Sequence, residues 1–208
     1  MPNSGKCDIL TWIETYIRWS VLWAVSPAAD VPAAGVRLRK GMTIMAKGLI
    51  YIYAGDGRGK SPAAIGRAVQ AAVEGKHVVI LQFLKGKGQE NSDFLRKMEP
   101  EIKLFRFEKS DENYEELSEE RKVEEIGNIH NGMNYARKVL ATGECDLLIL
   151  DEVLGLVEKG IVSVEDVKTL LECRGDTDVI LTGIKLSDEI CILADEVSRI
   201  ETVKFKVW

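Results

Sequence analysis

From Gly48 onward the chain alternates two apolar patterns. Runs in which nearly every residue is apolar read as buried strands: GLIYIYA at 48–54, HVVILQF from His77, IKLFRF from Ile102, DLLILDE ending at Glu152, and DVILTG ending at Gly183. The segments between them carry helical spacing instead. PAAIGRAVQAAVEG from Pro62 reads as a helix, and a long charged stretch places Ile126, Ile129, Met133, Ala136 and Leu140 three and four residues apart, on one buried face. NYEELSEERKVEE ahead of them reads as a solvated helix face. In SVEDVKTLLECRG, Ser163 stands as an N-cap with acids in the first turn and Gly175 past the end, and SDEICILADEV repeats this form from Ser187. Continuous apolar strands separated by helices predict an α/β fold, a mostly parallel sheet with helices on both faces, whose ligands lie beyond the carboxyl ends of the strands.

The first 44 residues do not share this rhythm. ILTWIETYIRWSVLWAV, from Ile9 to Val25, is interrupted by Glu14 and Arg18 and is too polar for a stable membrane span of roughly 20 apolar residues. It is also a poor signal peptide, because only Lys6 precedes it and charges fall inside the apolar region. Read as a helix, it puts Ile9, Trp12, Ile13, Tyr16 and Ile17 on one face, and SPAADVPAAGVRLRKG after it reads as a linker. The expected organisation is an N-terminal extension over 1–44, with a native start at Met42 or Met45 as the alternative, and one compact domain over 45–208.

Composition narrows the function. The 208 residues are 46% hydrophobic and 29% charged with a net charge of −5, the balance of a soluble protein with a core and no general attraction to nucleic acid or anionic membrane. Any phosphate binding must therefore be local. Cys7, Cys145, Cys173 and Cys191 are scattered with no C-x-x-C pair, and only His77 and His130 could join them, so a zinc site is not expected and the usage fits a reducing cytoplasm. His130 sits beside the apolar face of its helix, as a boundary residue.

The local phosphate site is YIYAGDGRGKSPAA, where a strand runs into Gly55, Asp56, Gly57, Arg58 and Gly59, followed by Lys60, Ser61 and Pro62 at the start of a helix. Glycines let backbone N–H groups turn toward phosphate oxygens, the helix N-terminus adds its dipole, the Lys60 ammonium supplies a point charge, and the Ser61 hydroxyl can bind Mg²⁺. Ala54 holds the position of the usual first glycine, and Pro62 falls in the first helical turn, where its missing N–H has no intrahelical role. The acids Asp151 and Glu152, delivered by the most apolar strand, complete the expected metal set with Ser61.

These motifs together with QFLKG at 82–86, Glu90, LLILDEVLGLVEKGIV and ILTG...LADEVSRIETVK resemble the P-loop type of ATP:corrinoid adenosyltransferase, over Gly48 to about Lys204. In that family the phosphate loop reads approximately TGNGKGKTT, so a residue other than glycine at Ala54 is expected. The resemblance implies a RecA-like P-loop fold, commonly a homodimer, and displacement at C5′ of ATP by Co(I) of a corrinoid with release of triphosphate, in cobalamin biosynthesis or salvage. It implies ATP and Mg²⁺ (or Mn²⁺) at the site, catalytic roles for Lys60 and Glu152, cofactor contacts from the loop and from Lys85, Glu90, Thr182 and Lys185, and a flavoprotein as electron donor. The family's TGR stands here as Thr182, Gly183, Ile184 and Lys185, and its aromatic stretch against the corrin has no recognisable counterpart; Phe105, Phe107 and Tyr114 are the aromatics at hand. Two other readings use the same loop: a P-loop kinase or ATPase, which yields ADP in place of triphosphate, and a nucleotide-binding regulatory protein without catalysis.

Overall fold

The computed structural model describes residues 47–84, 95–110 and 112–204. The expectations for the N-terminal extension, and for Lys85 and Glu90, lie outside these described residues. Strand β1 (Ile50–Ala54) leads into helix α1 (Lys60–Val73), then β2 (Val78–Gln82) and β3 (Ile102–Arg106). After a short 3-10 turn (Tyr114–Glu116) come α2 (Glu119–Thr142), β4 (Leu147–Asp151), α3 (Val153–Glu158), α4 (Val164–Glu172), β5 (Asp178–Gly183), α5 (Asp188–Cys191) and β6 (Glu196–Arg199).

The six strands form one sheet in the order β3-β2-β4-β5-β1-β6, and every paired neighbour is parallel. The apolar runs follow from this order. The inner strands β2 and β4 are buried along their whole length, whereas the edge strands β3 and β6 alternate or are largely exposed. Alternate residues of each inner strand feed two separate cores. Val78, Ile80, Leu147, Ile149 and Ile180 meet Ala64, Ala68 and Ala71 of α1, a helix whose small inward residues let it lie close to the sheet. Val79, Leu81, Leu148, Leu150, Val179 and Leu181 pack on the opposite face with Ile129, Ala136, Val139 and Leu140 of α2 and Val167, Leu170 and Leu171 of α4. With the strand that leads into the loop (β1) separated from the acid-bearing β4 by β5, this is the RecA-like P-loop architecture.

Helix boundaries obey local chemistry. Ser163 caps α4 in a full capping box with Asp166, and Ser118 caps α2, each cap contributing about 1 kcal/mol. The charged run before α2 departs from the expected solvated helix face in two ways. Leu117 is extended and breaks it, and Glu125 is buried, where its carboxylate accepts the Lys109 N–H at 3.0 Å. The helix expected from Ser187 is also cut to four residues. Asp195 explains the cut: its N–H donates to Ile50 O and its carboxylate accepts Ile50 N–H at 2.8 Å, which draws the chain onto β1 as a sixth strand.

Candidate nucleotide site

Register and alternation bring the polar ends of three strands to one place. Gln82 pairs with Asp151 across β2 and β4, and Leu150 pairs with Leu181 across β4 and β5. Gln82, Asp151 and Thr182 continue the alternate positions that face α1, so their side chains meet at the N-terminus of that helix. There the Ser61 hydroxyl donates to Asp151 Oδ1 at 2.8 Å, the Thr182 hydroxyl donates to the same oxygen at 2.6 Å, and Gln82 Nε2 donates to Oδ2 at 3.1 Å. Thr182 Oγ1 also accepts the Glu152 N–H at 2.9 Å, tying the next residue into the cluster. Asp151, Gln82 and Thr182 are all buried, at 2%, 2% and 0% exposure, so this carboxylate is held by side chains in place of water.

One atom of the cluster is left over. Gln82 Oε1 is buried with no hydrogen-bond partner among the described residues, a cost of about 1–3 kcal/mol. The amide cannot simply be turned over, because a carboxylate only accepts and the face toward Asp151 must carry the N–H groups.

The glycine loop bends around a carbonyl. A Cβ on Gly55, whose φ is +121°, would lie 2.3 Å from Ile200 O, and one on Gly57 would lie 2.7 Å from the same atom. Gly57 N–H donates to Ile200 O at 3.0 Å, and Gly55 N–H is shared between Gly183 O and Ile184 O. Two loop N–H groups expected to turn toward phosphate are thus bonded within the protein. Those of Gly59, Lys60 and Ser61 open the helix and have no acceptor inside it. Pro62 is the third helical residue, inside the first turn as expected, and no acidic side chain stands in that turn to compete for an anion. Lys60 is 7% exposed and donates to Gly57 O at 3.0 Å, so its ammonium is folded back over the loop. Asp56 and Arg58 are exposed on its outer side.

Glu152 departs from ordinary backbone. Its φ of +66° is left-handed, a conformation costing a non-glycine residue about 1–2 kcal/mol. The kink separates β4 from α3 and places the half-buried Glu152 on the side opposite Asp151, near Gly155 and Leu84. Leu84, also left-handed at φ +52°, lines a cavity of about 140 Å³ with Glu108, Tyr114, Glu125 and Lys159. Of the three aromatics expected nearby, only Tyr114 lines this cavity. Phe105 packs on Tyr135 at 4.9 Å between centroids, and Phe107 stacks on Phe83 at 6.0 Å, both against the core.

Thr182 therefore lies inside the cluster, while Lys185 does not. The Lys185 ammonium is exposed and pairs with Glu158 at 2.7 Å, on the rim of a second cavity of about 350 Å³ lined by Leu154, Val157, Leu186 and Ile190. Two residues at the site were given no role of their own in the sequence reading, although both lie in segments that carry the resemblance. Gln82 had a signal, a lone polar residue in the otherwise apolar HVVILQF; Ile200, which acts through its carbonyl, had none.

Comparison with known proteins places the chain in a family. The family model described as ATP:corrinoid adenosyltransferase BtuR/CobO/CobP matches residues 46–207. Corrinoid adenosyltransferase CobA of Salmonella typhimurium is 30% identical over 159 residues, covering 76% of this chain and 79% of that protein. A corrinoid adenosyltransferase of Escherichia coli K12 is 31% identical over 162 residues with the same coverage, and one from Pseudomonas aeruginosa is 24% identical over 159 residues, covering 76% of this chain and 77% of that protein. Among solved structures, the KaiC-like protein PH0186 of Pyrococcus horikoshii aligns at 20% identity with a TM-score of 0.45, covering 76% of this chain and 74% of that one. The phosphate loop, the strand-borne acid and these matches make the chain a member of the ATP:corrinoid adenosyltransferase family.

Proposed function

We propose that this protein binds ATP with a divalent cation at the carboxyl ends of β1, β4 and β5 and transfers its 5′-deoxyadenosyl group to the Co(I) of a corrinoid. The observation that carries this reading is the helix N-terminus of α1 opening beside a buried Ser61–Asp151–Thr182 cluster, a grip for triphosphate and cation. The nucleophile is the substrate's cobalt. Its electron pair forms the Co–C5′ bond as the C5′–O bond breaks, and the bonding pair leaves with inorganic triphosphate. Protein nucleophiles fit less well: burial pushes the Cys145 thiol up to about 12, and His77 and His130 are exposed.

The protein's task is to hold and stabilise. Lys60 and the first-turn N–H groups of α1 stabilise the charge that grows on the departing triphosphate. Oxygen donors alone suit a hard cation such as Mg²⁺ or Mn²⁺, and with its hydrogen donated to Asp151, Ser61 would turn a lone pair of Oγ toward the metal. When bound, such an ion neutralises triphosphate charge. Asp151 sets the Ser61 hydroxyl, and Glu152 completes the shell or the corrin-facing wall. Contacts from the loop residues 55–62, with Gly55 and Gly57 shaping the turn through their bonds to Gly183, Ile184 and Ile200, and from Lys85, Glu90, Thr182 and Lys185 belong to this reading. So does an organisation of residues 45–208 as the working domain. The family resemblance supports a homodimer served by a flavoprotein reductant, and the unpaired thiols of Cys145, Cys173 and Cys191 support a cytoplasmic setting.

The test is anaerobic incubation with MgATP and chemically reduced cob(I)alamin or cobinamide. The expected result is a light-sensitive adenosylated corrinoid formed in step with triphosphate. ADP as the product, or tight ATP binding with neither product, overturns the reading in favour of phosphoryl transfer or of a non-catalytic nucleotide binder.

A further inference from the structure

We propose that Gln82 is a positioning residue of the cation site, acting through Asp151 to couple the divalent cation to nucleotide binding. Three observations converge on it. Gln82 is 2% exposed at the end of β2, in register with Asp151, and its Nε2 is the donor to Asp151 Oδ2. The other carboxylate oxygen already takes the Ser61 and Thr182 hydroxyls, so Gln82 alone among these three fixes the second oxygen and with it the plane of the carboxylate. That plane decides where the Ser61 hydrogen points, and hence where the lone pairs of Ser61 Oγ face. Finally, Gln82 Oε1 has no donor among the described residues. Buried polar atoms are nearly always satisfied, so a sealed acceptor beside the phosphate loop marks a place where a donor arrives as the site fills. The donors that accompany a metal nucleotide are the waters on its cation and the ammonium of Lys60, which lies folded over Gly57.

A residue holding only the fold would behave differently. Replacing it with an apolar side chain of similar size removes the orphaned acceptor but also takes the Gln82 donor away from the buried Asp151 Oδ2, so some stability is lost in either role and the cation effect is what tells the two roles apart. The role rests on the nucleotide reading of the site, and the experiment separates the two.

Calorimetric titration of ATP into the full-length protein, once with Mg²⁺ and once with EDTA, measures the gain in affinity that the cation brings. In Gln82→Met we expect that gain to fall about tenfold or more, the range for partners of metal ligands, with ATP affinity in EDTA little changed and the melting temperature lowered by the loss of one donor to the buried Asp151. In an Asp151→Asn background the same change has no further effect, because Gln82 acts through that carboxylate. Should Gln82→Met fail to fold, Gln82→Asn, which keeps a carboxamide one methylene too short to reach Asp151, must show the same split. A full cation gain in the variant, equal losses with Mg²⁺ and EDTA, or an additive double variant overturns the role of Gln82 while leaving the nucleotide site standing. Wild-type protein that binds ATP with no gain from Mg²⁺ removes the cation site itself and the proposal with it.

Discussion

The two ends of the same sheet are built from similar side chains put to opposite uses. At the amino ends, polar groups terminate on backbone: Asp178 accepts the Leu49 N–H, Asp195 accepts the Ile50 N–H, Asp146 accepts the His77 N–H, and the Thr177 hydroxyl donates to Cys145 O. Each bond closes a strand end, and the carboxylates stand at the surface, where water offsets their charge. At the carboxyl ends, polar groups bond to one another. Ser61, Thr182 and Gln82 converge on the buried Asp151, Gln82 Oε1 is unsatisfied, and Glu152 and Leu84 sit in left-handed conformations. Satisfied and relaxed at one end, under-satisfied and strained at the other, the sheet keeps its stability and its chemistry apart.

The sharpest way to break this comparison is to remove charge from the carboxyl end. Lys60→Ala is expected to lower adenosyl transfer about 100- to 1,000-fold, the usual effect of deleting one preorganised stabiliser of developing negative charge. Its melting temperature should hold, since Lys60 contributes only a hydrogen bond to Gly57 O within the loop. Triphosphate release under saturating cob(I)alamin measures the first, and thermal unfolding the second. A variant that melts early would place Lys60 with the structural end.

Asp151→Asn should come next, and here stability and function part company. The carboxamide oxygen of Asn can still accept from Ser61 and Thr182, and Gln82 can turn over so that its orphaned Oε1 accepts the new amide N–H. The variant is expected to melt at or above the wild-type temperature and to lose about 10- to 100-fold of the Mg²⁺-dependent affinity for ATP. A large drop in melting temperature would mean that the buried charge stabilises the fold, against the comparison.

The sequence made these two ends unequally visible. The phosphate loop was legible because glycine spacing, Lys60 and Ser61 lie within one short segment, and Asp151 because it ends the most apolar strand. What joins them was not legible. Ser61, Gln82, Asp151 and Thr182 meet only because β4 lies between β2 and β5, and strand order is a property of the whole sheet that local pattern does not encode. The same limit hid β6. The acids of SDEICILADEV read equally as helix, until Asp195 finds the Ile50 N–H 145 positions away. Lys185 shows the limit in the other direction: it stands three residues after Thr182, yet its side chain pairs with Glu158.

At the amino end the expected effect is smaller and of the other kind. Asp178→Ala leaves the Leu49 N–H without its acceptor at 2.8 Å, and should cost about 1–2 kcal/mol. That corresponds to a fall of a few degrees in melting temperature for a domain of this size. ATP affinity and the transfer rate should be unchanged. If either falls in step with stability, the two ends are coupled and the division of labour drawn above is wrong.

The smallest effect belongs to the capping box of α4, far from the site, where pH supplies the probe. The Asp166 carboxylate accepts the Ser163 hydroxyl at 2.6 Å and the Ser163 N–H at 3.0 Å, and these bonds hold its pKa below the usual carboxylate value. Because the folded value lies below the unfolded one, the stabilisation is fully present above the unfolded value and is lost as pH falls through the folded one. Asp166→Asn removes that charge at every pH. The melting-temperature difference between wild type and this variant should therefore be constant from neutral pH down to the ordinary carboxylate range and shrink below it. ATP affinity, measured at neutral pH, should be the same in both proteins. A difference that persists unchanged into strong acid would mean that the ionised form of Asp166 adds nothing to the cap beyond what the protonated carboxyl supplies.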